Sequence, residues 1–256
     1  NDVLELSQNS RRGIRLIRKA IRQKRITWDR IDQSVKKVLI AKYWLGLNNL
    51  KPLSTLGVAI DLQRVEAVAL KQRLADAAVT ILKSDSLIKA LDFTKKTAIV
   101  SLGITELSTF QKELKPYFVN SMDFILSKNA SAIDIMNVSK ELSKYDQVIV
   151  GIHDNRKRPQ SSLDYNTNMK LFVADIAKMN SIISVFANPY TIAGLPGIEQ
   201  SKTLIVNYQQ NDELQISAAR VIKSQLKAKG KLPVTINTFF KYGDGISPET
   251  PYRAYY

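Results

Sequence analysis

The sequence predicts an α/β protein: a mostly parallel sheet with helices on both faces, a three-layer sandwich. Two observations predict it. Five short runs rich in Val and Ile recur from residue 97 onward, "TAIVSLG" (97–103), "MDFIL" (122–126), "QVIVGI" (147–152), "SIISVFA" (181–187) and "TLIVNY" (203–208). They are apolar at successive rather than alternate residues, the pattern of strands covered on both faces. Helical stretches follow four of them, and this β-then-α alternation builds a parallel sheet through right-handed crossovers.

Taken in order, residues 1–6, "NDVLEL", read as a short strand. A helix is expected from about Ser10 to Gln23. A second begins after Thr27, a residue suited to capping, with Asp29 in the first turn where the helix dipole favours an anion. Its apolar face is Ile31, Val35, Val38, Leu39 and Leu45, and Gly46 stops it. Residues 48–60 lack a period and read as a linker. From Asp61 to Lys83 the Ala, Leu, Gln and Lys content predicts one long helix. The sandwich domain is placed at 61–240, with helices around "ELSTFQKELKPY", "SAIDIMNVSKELSKY", "NTNMKLFVADIAKMN" and "DELQISAARVIKSQLKAKG". Residues 241–256 read as a tail.

Composition bounds the function. A hydrophobic share of 45% with 24% charged residues is that of a globular protein, and no apolar run approaches the ~18 residues of a membrane span. No cysteine is present, which excludes disulfides and thiol catalysis, and the single histidine excludes multi-histidine zinc sites. The net charge of +15 and the stretch "RRGIRLIRKAIRQKR" (11–25) raise a nucleic-acid reading. Arg11, Arg15, Arg18 and Arg22 fall on one helical face, and Ile14, Ile17 and Ile21 on another. An amphipathic helix packed through its isoleucines has the same pattern. No aromatic residues interleave the charges and no nucleic-acid motif accompanies them, so that structural reading is preferred.

In a doubly wound sheet, ligands gather beyond the carboxyl ends of the strands. No G-x-G-x-x-G turn, P-loop or G-x-S-x-G elbow occurs there. The candidates are therefore His153, which ends a strand, with Arg156 and Arg158 following it as groups able to hold an anion or a sugar hydroxyl. Asp154 is not assumed to orient His153, because adjacent residues of an extended chain point opposite ways. The break "FANPYTI" adds Asn188 and Tyr190: Pro189 restricts Asn188 to extended geometry and ends the strand sharply.

Several segments together resemble glycoside hydrolase family 3, in particular its β-N-acetylglucosaminidase-like branch. "NDVLEL" is similar to the family's "GNDMLL" near the end of its catalytic (β/α)8 barrel. Residues 20–47 are similar to its "G-x-I-x-x-x-R-I-D-x-S-V-x-R-I-L-x-x-K-x-x-L-G-L" through Ile26, Arg30, Ile31, Asp32, Ser34, Val35, Lys42, Leu45, Gly46 and Leu47. "RLADAAVTILKS" resembles the start of the family's second domain. "FANPYTI", "TLIVNYQQND", "KGKLPVTI" and "FKYGDGI" resemble "F-G-N-P-Y-x-L", "x-L-V-A-Y-E", "x-G-K-L-P-V-T" and "F-K-Y-G-T-G-L".

The resemblance implies a flavodoxin-like C-terminal domain (61–240) preceded by a strand and two helices left from the barrel (1–47). It implies a parent that is a retaining β-N-acetylglucosaminidase or β-glucosidase, whose nucleophile lies upstream in the barrel. In the acetylglucosaminidase branch the acid/base is an Asp-His pair that also lies upstream. Other branches take an acid/base glutamate from the second domain, and no segment here matches that motif closely enough to nominate one. His153-Asp154 does not occupy that pair, and the glutamate of "Y-E" is Gln209 here, so no catalytic residue is assigned and the chain alone is expected to be inactive. The partners implied are the N-terminal barrel of the same polypeptide and, through it, a carbohydrate. No cofactor, metal, nucleic acid or membrane span is expected, and the resemblance implies a periplasmic or secreted bacterial protein. The residues also allow a stand-alone α/β module binding a small sugar or anion at the strand ends.

Overall fold

Two capped helices open the chain. In the computed structural model, which describes residues 1–52, 54–84, 91–158 and 160–247, the Asn9 side chain accepts from the Arg12 amide at the start of α1 (Ser10–Arg22). Thr27 does the same for Arg30 at the start of α2 (Trp28–Trp44), and Gly46, at φ +76°, ends it in the left-handed region. A 3-10 turn (Leu47–Asn49) and the short α3 (Val58–Leu62) complete a first unit, Asn1–Leu62. Residues 1–6 form no strand, because a strand needs a hydrogen-bonded neighbour and the segment has none among the described residues. It is anchored through a side chain instead. Asp2 receives Arg30 and Lys37 at 3.0 Å each and the Ser34 hydroxyl at 2.8 Å. The hydrogen bond from Lys37, then that from Ser34, hold its carboxyl far below the usual carboxylate range.

The second unit, Gln63–Tyr256, is built on a six-stranded sheet. In chain order its elements are α4 (Val65–Ala78), β1 (Thr80–Ser84), β2 (Thr97–Leu102), α5 (Thr109–Leu114), β3 (Ser121–Leu126), α6 (Ala132–Leu142), β4 (Gln147–His153), α7 (Thr167–Ala177), β5 (Ser181–Phe186), β6 (Thr203–Val206) and α8 (Asp212–Ile222). The strand order is β1-β6-β5-β4-β2-β3, with β2 to β6 mutually parallel and β1 antiparallel on β6. The five parallel strands follow the doubly wound order, which reverses between β2 and β4.

One long helix from Asp61 to Lys83 does not form. α3 and α4 divide its first part, and α4 stops at Ala78. The β-branched run Val79-Thr80-Ile81 then enters the sheet, where Thr80 pairs with Val206 and Ile81 with Ile205. Such residues lose rotamer freedom in a helix and pack well on a pleated surface, and here all three are fully buried.

The sheet buries both faces, as the continuous apolar runs require. Val100, Val150, Ile152, Val185 and Val206 lie in one core with Ile135 and Leu142 of α6 and Met169, Phe172 and Ile176 of α7. Ile99, Ile149, Ile182, Phe186 and Ile205 lie in the other with Ala75 of α4, Phe110 and Leu114 of α5, and Leu214, Ala218 and Ile222 of α8. Residues 241–247 are tied to the sandwich: Gly243 donates to the Leu232 carbonyl at 2.8 Å and Ile246 to that of Ile81 at 2.7 Å. The rest of the sequence-read tail, 248–256, lies outside the described residues.

Candidate functional site

The reversal of strand order opens a crevice between the carboxyl ends of β2 and β4, the usual ligand position of such sheets. Here it is filled from within. The Tyr165 hydroxyl lies 2.6 Å from the Leu102 carbonyl and 2.8 Å from that of His153, and accepts the His153 amide at 3.2 Å. Burial pushes its phenol far above the usual tyrosine range, so it stays a neutral donor. Gly103 makes room: its φ is +94°, and a Cβ there would stand 2.1 Å from the Tyr165 oxygen.

The open cleft is displaced along the sheet, to the ends of β4, β5 and β6. It has a volume of about 440 Å³ and is lined by residues 154–157, by Phe186, Ala187 and Asn188, and by residues 208–211. Each strand stops there for a local reason. Asn188 takes φ −52° and ψ 131° before Pro189, and its side-chain oxygen accepts the Tyr190 amide at 3.1 Å, starting a 3-10 turn (Pro189–Gly194). Past β6, Tyr208 sits at φ +62° with its hydroxyl 2.6 Å from Thr80 Oγ1. Asn211 caps α8 by accepting the Leu214 amide at 2.9 Å.

The cleft's electrostatics centre on Asp154. Its side chain is 1% exposed and is held by a two-pronged Arg156 fork, Nε at 2.8 Å and Nη2 at 2.7 Å. Arg156 also donates to the Ser162 carbonyl at 2.6 Å and lies 3.8 Å from Asp164, itself paired with Lys128 at 2.5 Å. Its guanidinium is thus spent within its own loop. What remains to meet a ligand is uncharged for the most part: the amides of Asn155, Asn188, Gln209 and Gln210, with Lys157 as the exposed cation.

Of the five residues singled out from sequence, Arg156 and Asn188 line the cleft. His153 does not. It is fully buried, its ring stacked on Phe186 at 4.9 Å and 16°, and neither ring nitrogen has a hydrogen-bond partner among the described residues. Burial brings its pKa down to about 3, so the imidazole is neutral. Arg158 is exposed outside the cleft, and Tyr190 is 42% exposed beyond its rim. Sequence reading missed Asn155, Lys157 and residues 208–211 as a lining. The signal was the polar run "NYQQN" at the end of β6, which the strand-end rule alone would have nominated. It also missed Tyr165, whose role depends on a contact across 63 residues.

Among the described residues no group of His, Asp and Glu is arranged to hold a metal, and no helix is long and apolar enough to cross a membrane.

No protein-family model and no curated protein sequence matches the chain. Solved structures do. The chain is similar to a glycoside hydrolase family 3 β-N-acetylglucosaminidase from Paenibacillus sp. str. FPU-7, at 19% identity and a TM-score of 0.61 over 86% of this chain and 42% of that one. It is similar to the β-glucoside phosphorylase BglX at 18% identity and a TM-score of 0.63, over 92% of this chain and 43% of that one. A β-glucosidase from Listeria innocua in complex with isofagomine matches at 15% identity and a TM-score of 0.61, over 86% of this chain and 34% of that one. The chain therefore has the fold of a part of these enzymes and spans less than half the length of each.

Proposed function

We propose that the chain belongs to glycoside hydrolase family 3 and forms the α/β accessory domain, with the last segment of the catalytic barrel, of a larger retaining β-N-acetylglucosaminidase or β-glucosidase. The observation that carries this reading is the shared fold over most of this chain and less than half of those enzymes. Two sequence motifs support it, because they meet in space: Asp2 of "NDVLEL" is bonded to Arg30 and Ser34 of "RIDQSV". The first unit also leaves apolar side chains uncovered, among them Leu39 (57% exposed), Ile40 (59%) and Trp44 (85%), as expected of helices that pack on the rest of a barrel.

In this reading the chain's own residues position and do not cleave. Retaining hydrolysis needs two carboxyl groups roughly 5 Å apart, one of them free to attack. Asp154 is the one carboxylate among the described residues lining the cleft, and Arg156 holds it. The amides of Asn155, Asn188, Gln209 and Gln210 suit sugar hydroxyls, which ask for neutral donors and acceptors at fixed positions. They are the polar groups that this domain offers to a carbohydrate.

The test compares this chain with the longer polypeptide in hydrolysis of aryl β-N-acetylglucosaminides and aryl β-glucosides. Turnover by the longer protein alone is expected, with the preferred glycoside identifying the branch. Turnover at enzymatic rates by the 256-residue chain overturns the reading. The cleft volume also suits a stand-alone sugar-binding module, and calorimetric titration of the chain with N-acetylglucosamine, glucose and phosphate separates that case.

A further inference from the structure

Helix α1 carries two faces of opposite character. At 100° per residue, Arg11, Arg12, Arg15, Arg18, Lys19 and Arg22 fall within an arc of about 120°. Gly13, Ile14, Leu16, Ile17, Ala20 and Ile21 fill the remainder of the circumference. All six basic residues are exposed, and none forms an ion pair among the described residues. The whole of the first unit leans the same way, with thirteen Lys and Arg against five Asp and Glu. The middle of the apolar face is covered, Ala20 being 7% exposed. Its two edges, which flank the basic arc, are not: Ile14 is 53% exposed and Leu16 is 52%.

We propose that the basic arc of α1 is a docking surface for an anionic phospholipid bilayer. The arc runs about 17 Å along the helix, so that six charges meet one plane together. Guanidinium groups bind phosphate in forks, and a plane of headgroup phosphates matches an arc in which every side chain is basic and exposed. The arc holds no amide or aromatic side chain to contact bases, as a nucleic-acid surface would. The basic arc lies on the opposite side of α1 from its apolar face, and the proposal does not rest on the family reading.

Co-sedimentation of the 256-residue chain with vesicles tests it. Binding to phosphatidylglycerol-containing vesicles should exceed binding to pure phosphatidylcholine at least tenfold and fall steeply as salt is raised. The fourfold variant Arg11→Gln, Arg15→Gln, Arg18→Gln, Arg22→Gln should lose about 100-fold or more in partitioning. The variant Lys140→Gln, Lys144→Gln, Lys178→Gln, Lys202→Gln removes the same charge from exposed sites of the sandwich and should bind like the parent. If the fourfold arginine variant loses its helix by circular dichroism, Arg12→Gln with Lys19→Gln gives the same reading through a loss of about tenfold. No preference for anionic vesicles, equal losses in the two fourfold variants, or tighter binding to duplex DNA than to vesicles each overturns the proposal.

Discussion

The Tyr165 hydroxyl and the backbone of His153 are joined twice, once through the carbonyl at 2.8 Å and once through the amide at 3.2 Å. With the Leu102 carbonyl at 2.6 Å, this one phenol clamps the ends of β2 and β4 where the strand order turns. The clamp closes the position where a doubly wound sheet normally takes a ligand, and the cleft opens over β4, β5 and β6 instead. Tyr165→Phe keeps the ring and removes the bridge. Urea unfolding should show a loss of about 1–3 kcal/mol, as for other buried hydrogen-bond partners left unmade.

The Asp154–Arg156 fork makes a second prediction. Asp154 is enclosed and Arg156 partly so, at 19% exposure. Arg156→Ala strands a carboxylate out of water, and urea unfolding should register a loss of about 3 kcal/mol. The double variant Asp154→Asn, Arg156→Gln removes both charges and should lose less. A double variant as damaged as Arg156→Ala would show that the loop's packing matters here and the charge does not.

The layers of this fold were legible because strands buried on two faces cannot hide their Val and Ile runs. β1 was not legible. "AVTILKS" continues a helical composition from α4, and only pairing with β6, across more than a hundred residues, turns it into a strand. The site was legible at the level of the strand ends. Arg156 and Asn188 lie where that rule places them, while His153 follows the same rule along the chain and points away from the cleft, since neighbours on a strand face opposite sides. Asp2, Arg30 and Ser34 were legible as motif residues without a reason. Their shared ion pair and hydrogen bonds supply one.

Gly230 of "KGKLPV" likewise has a geometric reason and a testable consequence. Its amide donates to the Val79 carbonyl at 3.1 Å, where α4 hands over to β1. A Cβ there would lie 2.2 Å from the Ala78 carbonyl oxygen and 2.3 Å from Thr80 Oγ1. Gly230→Ala must push two backbone segments apart and should lower stability by about 1–3 kcal/mol. Gly194→Ala is the control, because nothing lies within 4 Å of the added methyl and the change should stay within about 0.5 kcal/mol.

His153 makes stability depend on mildly acidic pH. Burial brings its folded-state pKa to about 3, while the unfolded chain protonates a histidine at about 6.5. Below that pH the unfolded state binds a proton that the folded state refuses, so stability falls as pH falls. The slope approaches about 1.4 kcal/mol per pH unit, and the loss from pH 7 to pH 5 is about 2 kcal/mol. Asp164, held below its usual range by Lys128, and Glu213, held so by Lys71, give stability with the same pH direction. Theirs is lost only as pH drops into and below the ordinary carboxylate range near 4. The interval from pH 7 to 5 therefore isolates the imidazole. His153→Phe keeps a flat ring against Phe186, and its unfolding free energy should be nearly level over that interval while the parent's declines. A parent curve equally level would mean that the imidazole takes up its proton without leaving the folded state.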